Sequence, residues 1–412
     1  MNRTNIRCIM MFVLSVVFLL CASTLLQAEQ ARPVLVHYMP WYASESVSGE
    51  WGWHWTMNRF NPDKVGKDGR REVASHYYPL IGAYDSNDPH VLECHVLLMK
   101  FAGIDGVVID WYGRDAFRDY GEIHRNTLHL IKYIKRAGLR FAICYEDQAV
   151  KHKVQDRSLP EAKAVAHGKK VLGWMSENWF DDKAYLQVDG RPVLLVFGPQ
   201  YYNNEQWLDM LSGLSKKPLV FGLPYDSKRV GADGAFGWPP VKGGREIPRD
   251  VWQKELRDLY ARGSQGEPIM AVAFPGFRDV YREARLHDSY GSIDHRNGDT
   301  FDETLETAWK SKSQLVQIAT WNDYGEGTMI EPTKEFGYRF LEKVHARTKP
   351  DSVRADDLRL PVELYELKKR FANDASAMKD LASATSLLFS MKCQEARTII
   401  RKWQSVNSQQ TE

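Results

Sequence analysis

The run "LVQIATWNDYGEGTMIEP", Leu315 to Pro332, begins as an apolar β-type segment and ends in tryptophan, tyrosine, amide and two acids between glycines. Seven other stretches share the apolar core: "PVLVHYMPWY" (33–42), "IDGVVIDWYG" (104–113), "LRFAICYED" (139–147), "RPVLLVF" (191–197), "PLVFGLPY" (218–225), "GAFGWPPV" (234–241) and "PIMAVAFPGF" (268–277). Short β-branched or aromatic runs of this kind read as strands. Segments 89–103, 127–138, 161–180, 250–263 and 302–312 carry apolar residues at spacings of three and four, which predicts helices between the strands. Such alternation implies a parallel sheet covered on its faces. Eight repeats over residues 31–349 match an α/β fold of the (β/α)8 TIM barrel type. A doubly wound open sheet is the runner-up, and it lacks the Gly-rich first turn that such sheets use for a nucleotide. Beyond Lys349 and Pro350, residues 350–412 read as two or three helices, a C-terminal helical extension.

Composition excludes several partners. With 412 residues, 43% of them hydrophobic, the chain can bury a large core. Against 53 acidic residues stand 55 Lys and Arg, so the net charge of +2 provides no footprint for nucleic acid. Arg3 and Arg7 precede an apolar run from Cys8 to Leu26, with small residues near Ala28, so residues 1–28 read as a signal peptide. That implies a secreted or periplasmic protein with no membrane span after cleavage; an uncleaved anchor or a lipoprotein at Cys21 are the alternatives. Removal of the leader leaves Cys94, Cys144 and Cys393, too few for a disulfide framework and expected as free thiols. No HExxH, paired CxxC, calcium loop or phosphate-cradling glycine motif is present, so neither a metal nor a cofactor is expected.

In a barrel of this type the chemistry sits at the C-terminal ends of the strands. Those ends are where this sequence concentrates polar and aromatic residues: Tyr38 and Trp41; Asp110, Trp111 and Tyr112; Glu146; Tyr225; Trp238; and Trp321, Asn322 and Tyr324. The loop "EWGWHWT" (50–56) adds Trp53, His54 and Trp55. Flat rings beside carboxylates and amides suit a sugar, whose C–H faces stack on aromatics while its hydroxyls bond to polar groups. A buried aromatic cluster stapling the loop is the bland alternative. Asp323 and Glu326 would face opposite ways along a continued strand. Gly325 and Gly327 permit a sharp turn that brings both into the barrel mouth. Two such acids are the minimum machinery for cleaving a glycosidic bond; an acidic turn capping the next element is the competing reading.

The stretch at Trp321 to Pro332 resembles the last-strand signature of glycoside hydrolase families 71 and 99. Family 99, of endo-α-mannosidases and endo-α-mannanases, carries Asn-Glu-Trp-x-Glu-Gly-Thr and then Ile-Glu-Pro, against Asn322 to Thr328 and Ile330 to Pro332 here. Family 71, of α-1,3-glucanases, carries Trp-Asn-Asp-Tyr-Gly-Glu-Ser, which departs only at Gly327. "HYMPWY", "DGVVIDWYG", "ICYED", "VDGRPVLLVF" and "FPGFRD" are similar to other family 99 strands, so the resemblance spans residues 31–346. It implies a carbohydrate substrate with an α linkage, Glu326 as general acid and Asp323 as base. Asp at 323 is the family 71 choice, and its shorter side chain favours an inverting arrangement that admits water. A barrel that binds carbohydrate without cleaving it, and a glycosyltransferase of surface-polysaccharide synthesis, are the rival readings.

Overall fold

A computed structural model describes residues 32–406. The leader-like segment 1–28, with Cys8 and Cys21, lies outside the described residues. Eight strands form the barrel: β1 Val34–Tyr38, β2 Gly106–Trp111, β3 Arg140–Tyr145, β4 Arg191–Val196, β5 Leu219–Gly222, β6 Gly234–Phe236, β7 Ile269–Ala273 and β8 Leu315–Ile318. Each pairs in parallel with the next from β1 to β8, and β8 returns to β1 through Val34 opposite Val316 and Val36 opposite Ile318, which closes the sheet. All eight expected strands are present. β6 stops at Phe236, because Pro239 and Pro240 have no N–H to continue the ladder.

Alternation along each strand separates two cores. Leu35, Val108, Ala142, Leu195, Phe236 and Met270 point inward and fill the barrel. Val34, Val36, Val107, Ile109, Phe141 and Ile143 point outward, beneath the helices. Closed by helices on that face, the strands are buried on both sides, which is why they read as continuous apolar runs.

The covering helices are α1 Pro89–Phe101, α2 Tyr120–Ala137, α3 Ala164–Asn178, α4 Asn204–Ser212, α5 Arg249–Ser264, α6 Asp299–Lys310 and α7 Arg339–Thr348. α2 begins seven residues before the predicted helix and ends at Gly138, whose left-handed φ of 74° caps it. Between β5 and β6 there is no full helix; eleven residues leave room only for a 3₁₀ turn, Ser227–Val230. The C-terminal segment forms α8 Leu360–Arg370, α9 Ala375–Phe389 and α10 Cys393–Ser405. Its apolar face joins the outer core under α1, and the buried Lys368 ammonium bonds there to the Glu93 carboxylate, which also accepts from the Thr385 hydroxyl at 3.2 Å. Cys94, Cys144 and Cys393 are buried free thiols, as expected. Among the described residues no helix is long and apolar enough to cross a membrane.

Candidate active site

β8 ends at Ile318, and the chain then folds into a tight turn that carries the two acids. The Asp323 amide donates to Thr320 Oγ1 at 2.8 Å, and Asp323 Oδ1 accepts the Glu326 amide at 2.9 Å. Tyr42 grips the turn from β1's side: its hydroxyl donates to the Asn322 carbonyl at 2.9 Å and accepts the Tyr324 amide at 3.1 Å. Gly327 supplies the reversal at φ 67°, where a Cβ would lie 2.8 Å from the Arg278 carbonyl. Gly325 does not take a positive φ. A Cβ there would meet Met57 Cε at 2.9 Å, so its role is close packing.

The turn delivers Asp323 and Glu326 into one cavity of about 390 Å³ at the C-terminal mouth of the barrel. Asp110 from β2, Glu146 just past β3 and His37 from β1 face the same space, with Trp41, Tyr112 and Trp238 on its walls. These positions follow the inward parity: Leu35, His37 and Met39 on one strand, Val108 and Asp110 on the next, Ala142, Cys144 and Glu146 on the third.

Burial dominates the electrostatics. It pushes Asp323 up to about 7. Burial, then the Asp323 charge, hold Glu326 well above the usual carboxylate range, while the Tyr281 hydroxyl, 3.2 Å from Glu326 Oε1, opposes that rise. Asp110 is raised by burial and by Asp323, and Glu146 by burial and by Asp110. Tyr112 donates to Glu146 Oε1 at 3.1 Å, and Gln200 Nε2 donates to Oε2 at 3.3 Å. His37 lies 3.9 Å from Asp110 and is depressed by burial to about 3, so its ring is neutral. Two carboxyls that hold their protons differently, facing one cleft, can supply a proton and take one. His37, Asp110 and Cys144, all buried, also bring one ligand-type atom each within 4.8 Å of one another. Burial raises the Cys144 thiol well above its ordinary range, and it is therefore a protonated thiol rather than a ready metal ligand.

Residues 31–231 match glycosyl hydrolase family 99, and residues 251–344 match the family described as glycosyltransferase WbsX. The rat glycoprotein endo-alpha-1,2-mannosidase is 22% identical over 325 residues, 71% of this chain and 66% of its own length. Its Xenopus laevis counterpart is 26% identical, over 72% of this chain and 69% of that protein. The solved structure of the GH99 endo-alpha-mannosidase from Bacteroides thetaiotaomicron superposes with a TM-score of 0.57 at 19% identity, covering 79% of this chain and 97% of that one. Over residues 31–231, just under half of its length, the chain is similar to glycoside hydrolase family 99. It spans about two thirds of the length of the curated relatives it matches.

Not every residue expected at the site of this family 99-like barrel reaches it. Trp41, Asp110, Tyr112, Glu146, Trp238, Asp323 and Glu326 line the cavity. Tyr38 and Trp111 sit at outward positions of their strands and are wholly buried, Tyr38 bonding to His95 at 3.0 Å and Trp111 packing on Trp179. Trp321 and Tyr324 are likewise sealed in the core, Trp321 against His95 and Tyr324 against Tyr42 and Trp55. Asn322 is a clamp instead of a sugar contact: its amide bonds to both the N–H and C=O of Met39, at 2.8 and 3.0 Å, and to the Tyr84 hydroxyl.

For the tryptophan loop the bland reading holds at Trp55, which is buried with Nε1 donating to the Tyr84 carbonyl at 2.7 Å. Trp53 lies at the surface. His54 stands one layer behind the cavity, its ring stacked on Trp41 at 4.1 Å and fixed by Asp119 at 3.2 Å. Tyr225 lines a neighbouring cavity. His37, Met39, Phe197, Gln148, Gln200, Tyr281 and Tyr290 line the site without having been expected there. Strand parity alone would have found His37 and Met39; the loop residues carry no such periodic signal.

Proposed function

We propose that the protein hydrolyses α-glycosidic bonds of a mannan- or glucan-type glycan, with Glu326 as general acid and Asp323 as general base. The observation that carries this reading is the single turn that presents both carboxyls to one aromatic-walled cavity at the mouth of the barrel. Glu326, held protonated, gives its proton to the departing oxygen. Asp323, which ionises near neutral pH, takes a proton from the attacking water. Asp110, Glu146 and neutral His37 hold the hydroxyls of the sugar beside them. The mannose-directed form draws support from relatives described as endo-alpha-1,2-mannosidases. Inversion at the anomeric carbon is part of the proposal, since Asp323 is short and leaves room for water. Secretion or periplasmic export through residues 1–28 is proposed on the leader-like sequence alone.

The WbsX match over the segment that holds Asp323 and Glu326 favours a second reading, transfer of a sugar from a nucleotide donor. The cavity chemistry opposes it. Five carboxyl side chains, Asp110, Glu146, Asp226, Asp323 and Glu326, line the cleft, with no Lys or Arg among its lining residues to meet a diphosphate. Incubation with a panel of α-glycans, and separately with nucleotide sugars plus acceptor, distinguishes the two: reducing ends released without a nucleotide support hydrolysis, and nucleotide-dependent product supports transfer.

A further inference from the structure

A second cavity, of about 280 Å³, adjoins the acid-lined one beyond β5 and β6. Leu223, Asp226, Trp238, Pro239 and Val241 line both, so the two cavities lie side by side with Trp238 in the wall between them. Trp238 is fixed edge-on between His37 at 4.9 Å and Phe197 at 5.0 Å, and so presents a set face to each side. Across the second cavity stands Tyr225, a large ring left 72% exposed. Its hydroxyl bonds to Glu255, which Lys242 holds at 2.9 Å. An exposed ring held in place is a platform already ordered for a flat apolar ligand face.

The remaining lining decides which ligand. Its acids are Asp226, Glu255 and Asp258. Arg262, its cation, is committed to the protein: it donates to Glu267 at 2.8 Å, to the Pro224 carbonyl at 2.7 Å and to Ser227 at 3.1 Å. The cations beside these acids are each already paired, Arg229 with Asp226 at 3.0 Å, Lys242 with Glu255 at 2.9 Å and Lys254 with Asp258 at 2.5 Å, so a phosphate, sulfate or uronate would have to compete with the protein's own carboxylates for them. A neutral pyranose would find rings for its C–H face and acceptors for its hydroxyls. We infer that this cavity is a distal subsite for a further sugar residue of the same neutral glycan chain that occupies the acid-lined cavity. The inference rests on the glycosidase reading and adds a dependence on chain length.

The test titrates Glu326→Gln, calorimetrically, with ladders of α-linked manno- and gluco-oligosaccharides from disaccharide to hexasaccharide, with and without Tyr225→Ala. Affinity should rise roughly tenfold as the chain grows long enough to reach Tyr225, the size of one good aromatic contact. That rise should vanish in Tyr225→Ala, whose exposed position spares the fold. A length gain of the same size in both proteins, or binding that is flat with length, overturns the subsite and leaves the glycosidase reading standing. No binding to any member, with no cleavage by the wild type, overturns both.

Discussion

The Oδ1 atom of Asp323 accepts the Glu326 amide at 2.9 Å, so the proposed base closes the turn that places the proposed acid. The capping and catalytic readings of this pair are therefore not rivals, since the carboxylate that closes the turn is also the proposed base. Asp323→Asn keeps an acceptor for that amide while removing the base. Its kcat should fall about 10²- to 10⁴-fold with the fold intact, as judged by circular dichroism. Asp323→Ala should lose the same activity and be about 1 kcal/mol less stable than Asp323→Asn, because the turn bond goes too.

Stability should shift with pH in a direction set by the same residue. Folding raises the Asp323 pKa from an ordinary value near 4 to about 7, so the folded state binds the extra proton. The cost of burying its charge is absent below about pH 4, grows as pH rises, and is complete above about 7, reaching about 4 kcal/mol. Asp323→Asn removes that cost. Its melting temperature should exceed the wild type's by more at pH 8 than at pH 5, with the difference shrinking toward pH 4.

Activity should follow a bell. The acid limb of kcat/KM reports ionisation of Asp323 and should centre near pH 7, and the alkaline limb reports loss of the Glu326 proton. Because the Tyr281 hydroxyl bond lowers the Glu326 pKa, Tyr281→Phe should move the alkaline limb upward and leave the acid limb in place. An alkaline limb that moves down in that variant contradicts the assignment of Glu326.

Two buried polar contacts should prove structural. Asn322→Ala strands the N–H and C=O of Met39, and should cost roughly 2–4 kcal/mol in urea unfolding. Lys368→Met leaves the buried Glu93 with only Thr385 and a longer Arg136 contact at 3.6 Å, and should cost about 3 kcal/mol without altering KM.

Much of the architecture was legible because parallel strands buried on both faces must be apolar throughout, and all eight runs stand out for that reason. Residues at the strand ends were legible only as types. Tyr38 and Asp110 both lie at the C-terminal ends of strands, yet Tyr38 falls on the outward parity and Asp110 on the inward one. Counting alternation back from Leu35 and Val108 separates them; composition cannot. Tyr281 and Gln200 escaped notice for a different reason, since they reach the cavity from loops, where no period relates position to direction. The tryptophan loop misled because Trp55 and Trp53 share a composition but not a face: one is wedged under Tyr84 and the other lies at the surface.

Proton NMR of the first-formed product addresses stereochemistry. An α-linked substrate should yield the β anomer first, and an α anomer formed first contradicts the water-admitting arrangement proposed for Asp323.

The most direct test of the central claim is digestion of an α-mannan and α-glucan panel by wild type beside Asp323→Asn and Glu326→Gln, with new reducing ends counted. The wild type should release them from at least one α-glycan, and each variant should be slower by at least about 100-fold while still binding that glycan. Variants that cleave as fast as the wild type would contradict the assigned pair, and a wild type that binds a glycan yet cleaves none would contradict hydrolysis itself.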